Sequence, residues 1–518
     1  MDKRVGTKII LMNSLSGLIV VVVNTLMQFI NRTVFIHFLG KTYLGYNGLF
    51  ANVLGVLSLT ELGIGSAIIF SLYKPLKEHD EETVIKLMHL FKKMYALIGL
   101  AVLVLGVGAY FLINNQISGS QEKVIELTIT YFLFLLGSVS GYFLTYKRSM
   151  FDADQKVYKN QLNYLIFNFM SSIVQMLMLI LFRNFLLYAG TTTVFNILSN
   201  IVIARQVDKE YPYLKSKLSN YNLENNLKQQ IKKLTVGNFS NKLGTVVVYG
   251  TDNIFIATFS GIVNVGLYSN YALIVNTLVS LISRLFSGLT STIGITKSHE
   301  LSKNHHNYRD LHLINVFITV VCVGGLTALA NVFIQLWIGE KYLLSNVITN
   351  VIIINFALEI YRRTSLTYID AYGLAWIQRW KSIIEVVINI VLTIFFAGVL
   401  KMGMLGILIG TTISIVSFPL WYEPYIVYKY GFNVNFKEYF KPALTGLMSI
   451  VSEYVIVAKG IEWSRGISSN LVVQLILNAV IAIVSSLVII SLLVILTKDG
   501  RNLWTKFIKR NVKYDDRS

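Results

Sequence analysis

Fourteen stretches of this chain are apolar for about twenty residues each, and no other feature constrains its fold so tightly. A hydrocarbon layer of about 30 Å takes roughly 20 helical residues to cross, and inside it every backbone N–H and C=O must find a partner within the protein. The runs cover residues 9–31, 44–72, 94–113, 124–146, 162–182 and 185–204, then 235–259, 265–295, 311–334, 347–369, 383–400, 403–426, 442–458 and 471–496. They predict an all-α polytopic membrane protein of about 14 transmembrane helices. Composition excludes a water-soluble fold: 14% of residues are charged, against about 25% in soluble domains, and the mean hydropathy is +0.59. The first run is too long for a signal-peptide core and no small-residue cleavage site follows it, so it is expected to persist as a span.

The net charge of +19 would point to nucleic acid in a soluble protein, so the positions of the cations decide the matter. With the N-terminus placed inside, the inner segments hold 34 of the 46 Lys and Arg and the outer segments hold 8. The remaining four, Lys242, Arg284, Arg362 and Arg363, fall within spans. That imbalance is the positive-inside pattern and predicts a multi-pass protein of the cell membrane with both termini cytoplasmic. Topology thus accounts for the charge, and no nucleic-acid partner is expected. The single cysteine, Cys322, lies in an apolar run, which excludes an intrachain disulfide and a cysteine metal site.

The longest polar stretch, residues 206–234, separates six spans from eight. Sliding the chain against itself by 221 residues brings Phe38 onto Phe259, Gly40 onto Gly261, Gly45 onto Gly266, Ala51 onto Ala272 and Leu57 onto Leu278. The coincidence falls between the first and second spans of both parts, as parallel repeats of a transporter would place it. The expected organisation is therefore an N-lobe (1–205, spans 1–6), a cytoplasmic linker (206–234) and a C-lobe (235–428, spans 7–12). Two accessory helices (442–497) and a basic cytoplasmic tail (498–518) follow, and the two lobes are expected to share a pseudo-two-fold axis.

Catalytic machinery is not evident. Gly40-Lys41-Thr42 lacks the upstream glycine of a phosphate-binding loop, so no ATP-driven pump is indicated. His299, His305, His306 and His312 cluster between two runs, where a metal site is conceivable but a solvated loop accounts for them better. No metal, cofactor or enzymatic activity is expected.

Ionisable residues inside a span cost about 2.5–3.5 kcal/mol each on insertion scales, so they face a cavity or a partner. Here they comprise Glu61 in the second run, Lys242 and Asp252 in the seventh and Arg284 in the eighth. Glu359, Arg362, Arg363 and Asp370 line the tenth, and Glu385 and Glu423 follow. Glu359 stands three and four residues before Arg362 and Arg363 and can pair within its own helix. Arg284 has no acid within a helical turn, so it pairs across helices, with Glu61 for instance, or faces water. Arg32 ends the first span, where it sits at the interface or reaches a cavity mouth. Asp252 is the best acid for H⁺ or Na⁺, with a salt bridge to Lys242 or Arg284 as the alternative.

The stretch Phe38-Leu39-Gly40-Lys41-Thr42-Tyr43-Leu44-Gly45-Tyr46-Asn47-Gly48-Leu49-Phe50 resembles the flippases that move lipid-linked polysaccharide repeat units. So do Leu59–Ser66, Tyr73-Lys74-Pro75-Leu76, and Ile369-Asp370-Ala371-Tyr372-Gly373-Leu374-Ala375-Trp376 with Arg379-Trp380-Lys381. These flippases belong to the multidrug/oligosaccharidyl-lipid/polysaccharide exporter superfamily. The resemblance implies two six-helix lobes around a cation-lined cleft, working by alternating access on an oligosaccharide carried by polyprenyl diphosphate. Arg284, Arg32, Arg362, Arg363 and Lys242 are then the candidates for the diphosphate, because a guanidinium offers phosphate a fork of donors. Glu61, Asp252, Glu359 and Asp370 are the candidates for ion coupling or salt bridges. The resemblance also implies a tail groove on the last two spans and, as partners, glycosyltransferases and a polymerase. Three other readings stay open: a drug/cation antiporter of the same fold, a membrane glycan polymerase or ligase, and a scaffold docking glycosyltransferases through residues 206–234.

Overall fold

Long apolar runs become helices because an α-helix alone satisfies its own backbone in hydrocarbon. In the computed structural model, residues 3–58, 64–118, 124–218, 220–229, 231–232, 235, 250–296 and 301–515 are described, and helix is the only regular structure among them. Eleven helices among the described residues are long and apolar enough to cross a membrane. The three expected runs that are not separate helices of that kind have identifiable reasons. The first helix, α1 (Lys3–Leu57), carries both the first run and the start of the second around a kink at Gly40. Most of run 235–259 lies outside the described residues. The tenth run is divided at Arg362 into α11 (Asn346–Tyr361) and α12 (Arg363–Tyr372).

The chain divides into two compact units, Met1–Ser269 and Asn270–Ser518. In the first, α1 packs with α2 (Ile64–Glu78), α3 (Glu81–Ser118), α4 (Val124–Thr145), α5 (Arg148–Ala153), α6 (Val157–Phe182) and α7 (Phe185–Glu210). The short α8 (Asp252–Ser260) and the first turns of α9 (Ile262–Thr296) complete it. The boundary between these compact units falls inside α9. The cause is local: the Cα of Gly45 lies so near α9 that a Cβ there would stand 2.1 Å from the Ile262 carbonyl oxygen. Gly266 approaches the Lys41 carbonyl in the same way, at 2.3 Å.

These two approaches are images of one another, since the 221-residue shift carries Gly45 onto Gly266 and Lys41 onto Ile262. The two kink glycines also correspond. Gly40 has φ 76° and ψ −171°, and Gly261 has φ 87° and ψ 160°, a region that a Cβ disfavours. The repeat is therefore carried by backbone geometry, which explains why few side chains match. Gly45→Val is expected to abolish the monodisperse folded peak in detergent size-exclusion chromatography, because the obstacle is backbone and cannot step aside. A folded peak equal to that of the unmodified chain would remove this account of the packing.

The second unit is built on α10 (Leu301–Ile338), flanked by α16 (Lys437–Ile467) and α17 (Leu471–Leu496). Its apolar core gathers Val316, Val320 and Val323 of α10 with Phe356 and Ile360 of α11 and Ile489 and Leu493 of α17. The last two spans dock through polar groups as well. The fully buried Glu453 accepts hydrogen bonds from Ser485 Oγ and Ser486 Oγ, both at 2.8 Å, and Asn478 Nδ2 donates to the Ala328 carbonyl at 3.1 Å. Such bonds replace the missing hydrophobic drive between helices in lipid. Small residues do the same between α13 (Arg379–Thr393) and α14 (Gly403–Ser417), where a Cβ on Gly410 would meet the Thr393 backbone nitrogen at 3.1 Å.

The histidine cluster corrects an expectation. His305, His306 and His312 lie on α10, not in a solvated loop, and His299 lies outside the described residues. His305 and His312 are buried among aromatic rings: His305 meets the Tyr428 ring edge-on at 5.1 Å and His312 meets Tyr361 at 5.0 Å. The helix is 38 residues long, and its first turns bury this face in the cluster of Tyr308, Tyr368, Tyr372, Tyr428 and Phe432. Among the described residues, no three His, Cys, Asp or Glu side chains stand close enough to hold a metal.

Candidate functional site

In the first unit the candidate charges hang from a polar ladder linking three helices. Asn31 Nδ2 donates to Gln175 Oε1 at 2.6 Å, and Gln175 Nε2 donates to Thr192 Oγ1 at 2.6 Å, tying α1 to α6 and α7. The next residue, Arg32, is half-buried and donates from Nη1 to Ser269 Oγ at 2.8 Å. The shift of 221 maps Arg32 onto Asn253 and Ser269 onto Gly48, and a Cβ on Gly48 would meet Asn253 Nδ2 at 3.5 Å. Arg32 and Asn253 thus occupy matching places in the repeat.

Asp252 opens α8 and is 5% exposed. It receives a long hydrogen bond from Tyr268 Oη at 3.4 Å, and no cation of its own unit stands within ion-pair distance among the described residues. Its expected alternative partner Lys242 lies outside the described residues, as does Glu61.

The second unit sorts its charges into three groups. Arg362 sits at the break between α11 and α12, only 7% exposed, with its Nε and Nη2 on the two oxygens of Glu423 at 3.0 and 2.5 Å. Its Nη1 reaches Glu385 Oε1 at 3.3 Å. Lys381 completes the group, with Nζ 2.8 Å from Glu385 Oε2 and 2.7 Å from Glu423 Oε1. Two cations and two carboxylates thereby close a neutral, buried square across α11, α13 and α15 (Pro419–Ile426). Arg363 belongs to the second group, paired with Glu359 of its own helical run at 2.8 Å, as the spacing of four residues allows. Asp370 is exposed near the end of α12, which Gly373 terminates at φ 67°.

Arg284 forms the third group by itself. It is exposed on α9, midway along an apolar helix, and among the described residues of its unit its side chain has no hydrogen bond or ion pair. A guanidinium in hydrocarbon is costly, which makes Arg284 a candidate for a water-filled cavity or an anionic ligand.

Sequence reasoning missed Lys381 as a member of the square, because it counted the residue among the inner loop cations. The signal was present: Lys381 and Glu385 stand four apart, and both sit beside the motif that ends in Arg379-Trp380-Lys381. The rest of that motif is structural too. Arg379 lies 4.4 Å from the Trp376 ring and donates to the Trp376 carbonyl at 2.8 Å.

No family model matches the sequence, and no curated protein is significantly similar to it. Solved structures are. A lipid II flippase MurJ, in an inward closed conformation, superposes with a TM-score of 0.65 at 18% identity, covering 93% of this chain and 98% of that one. An inward-facing multidrug resistance MATE family transporter gives 0.58 at 15% identity, over 83% of this chain and 95% of that one. A MOP superfamily transporter from Pyrococcus furiosus gives 0.57 at 14%, over 86% and 96%. The chain has their fold. At these identities the likeness shows architecture alone: a multi-pass, all-helical membrane protein built as these transporters are.

Proposed function

We propose that the protein translocates a polyprenyl-diphosphate-linked oligosaccharide from the inner to the outer leaflet of the cytoplasmic membrane by alternating access, supplying surface-polysaccharide synthesis. The observation that carries this reading is Arg284, a cation with no partner among the described residues of its own unit, on an exposed face of an apolar helix. A diphosphate brings about two negative charges and oxygens spaced for a guanidinium fork, whereas a cationic drug would be repelled. The fold shared with a lipid II flippase supports the lipid-linked class, and the motifs at 38–50 and 369–376 support the polysaccharide branch. The repeat geometry at Gly40 and Gly261 supports two lobes of six helices followed by the accessory pair.

In this reading Arg32 is a second candidate for the diphosphate, and buried Asp252 takes the coupling H⁺ or Na⁺. Arg362 holds the second lobe together rather than touching substrate, and Arg363 is occupied by Glu359. Asp252 also favours the drug/cation antiporter, for which a buried carboxylate is the expected feature.

The test is direct. Purified protein in liposomes should move a fluorescent polyprenyl-diphosphate oligosaccharide to the leaflet where an added quencher or lectin reaches it. No movement above protein-free liposomes, with uptake of cationic dyes instead, would establish the antiporter.

A further inference from the structure

The polar end of the first unit carries a partly open cavity of about 240 Å³ that the proposed transport path does not include. Its walls include His89 and Lys92 of α3, Lys147 after α4, Asp208 of α7, and Lys215 and Tyr221 of the segment that follows α7. Three lysines therefore face one carboxylate. Lys147 takes that carboxylate for itself, with Nζ at 2.7 and 2.6 Å from the two Asp208 oxygens. Lys92 and Lys215 have no carboxylate within ion-pair distance among the described residues.

The following segment forms one wall of the space. The Tyr221 ring stacks on His89 at 4.0 Å and 24°, and Tyr221 Oη accepts a hydrogen bond from the Leu218 N–H at 3.1 Å. Burial, together with Lys93 and Lys92, lowers the His89 pKa below its ordinary value, so the ring is neutral near pH 7. The surplus charge is therefore that of the two lysines. Two ammonium groups on the walls of one cavity, without a carboxylate of their own among the described residues, give it a positive potential that attracts an anion.

We propose that this cavity is a binding site for a phosphate-type anion, a phosphate monoester or a diphosphate, held between Lys92 and Lys215. A space of this size admits a diphosphate with a few waters and is too small for an oligosaccharide. The same chemistry is offered by a soluble phosphate compound and by an anionic lipid headgroup at the membrane surface. The site is built from residues of the first unit alone and does not rest on the transport reading.

The probe is inorganic pyrophosphate, titrated calorimetrically into the full chain in phosphatidylcholine nanodiscs at constant ionic strength. Saturable binding is expected, weakened about tenfold or more by Lys92→Gln with Lys215→Gln, a loss on the scale of one charge-assisted contact. Both lysines are exposed, so the fold should survive. The control pair Lys74→Gln with Lys86→Gln, on α2 and α3, should leave binding unchanged. Repeating the titration in nanodiscs containing phosphatidylglycerol separates the two sources. Unchanged affinity identifies a soluble anion as the ligand, and competition identifies the headgroup. Absence of pyrophosphate binding in phosphatidylcholine, or binding that survives the Lys92/Lys215 pair but disappears in Arg284→Ala, would overturn the proposal.

Discussion

Arg362→Met is expected to cost about 3–5 kcal/mol of stability, the scale of breaking a buried ion pair by removing one partner. The guanidinium spans Glu423 and Glu385, and all the side chains of the square are at most 8% exposed. Its loss leaves two carboxylates facing a single ammonium, with no water to compensate. The melting temperature in detergent, followed by fluorescence-detected size exclusion, should fall steeply, and much of the folded material should be lost on extraction. Adding Glu423→Gln to Arg362→Met restores neutrality and should recover most of the loss, since what is costly is the uncompensated charge. Arg363→Met serves as the contrast: its pair with Glu359 is partly exposed and joins residues four apart across the α11–α12 break, so the effect should stay small. Equal melting of Arg362→Met and the unmodified chain would show that the square does not hold the unit together.

Arg284→Ala is expected to abolish surface polysaccharide while the protein still reaches the membrane in normal amount. Among the described residues of its unit the side chain has no hydrogen bond or ion pair whose loss would unfold it. If it grips a phosphate through two charge-assisted hydrogen bonds of about 1.5 kcal/mol each, the transport rate falls about a hundredfold or more. Arg284→Lys keeps the charge but loses the fork, and should retain partial export. Arg32→Ala should be milder, because Arg32 already donates to Ser269 and shares its place in the repeat with a neutral Asn253. Immunodetection of cell-surface polysaccharide beside a membrane-fraction blot reads both quantities. Normal polysaccharide in Arg284→Ala would take Arg284 out of the site.

Membrane residence, helical class and the partners of the buried charges differ in how far they could be read from the chain, and particular residues show why. Hydropathy is a local property, so each apolar run announces its helix wherever the chain later packs. The repeat was legible for a related reason: Gly40 and Gly261, like Gly45 and Gly266, are needed by the backbone itself, and no other residue replaces them cheaply. The pair Glu359–Arg363 was legible because four residues make one helical turn.

What the chain concealed is what depends on distant segments meeting. Arg362, Glu423 and Arg284 look alike in sequence, each an ionisable residue in an apolar run. Only packing across 61 residues makes Arg362 and Glu423 partners, and only the exposure of its helix face leaves Arg284 without one among the described residues of its unit. The histidines of α10 belong to the same class, since a polar run between spans is equally a loop or a buried helical turn until the tyrosines from α12 and the segment after α15 close over it. Sequence by itself determined a multi-pass helical membrane protein, because burying apolar surface in lipid requires no partner. The tertiary structure decided which charges are structural and which are left to act, because a charge in an apolar interior is defined by what comes to meet it.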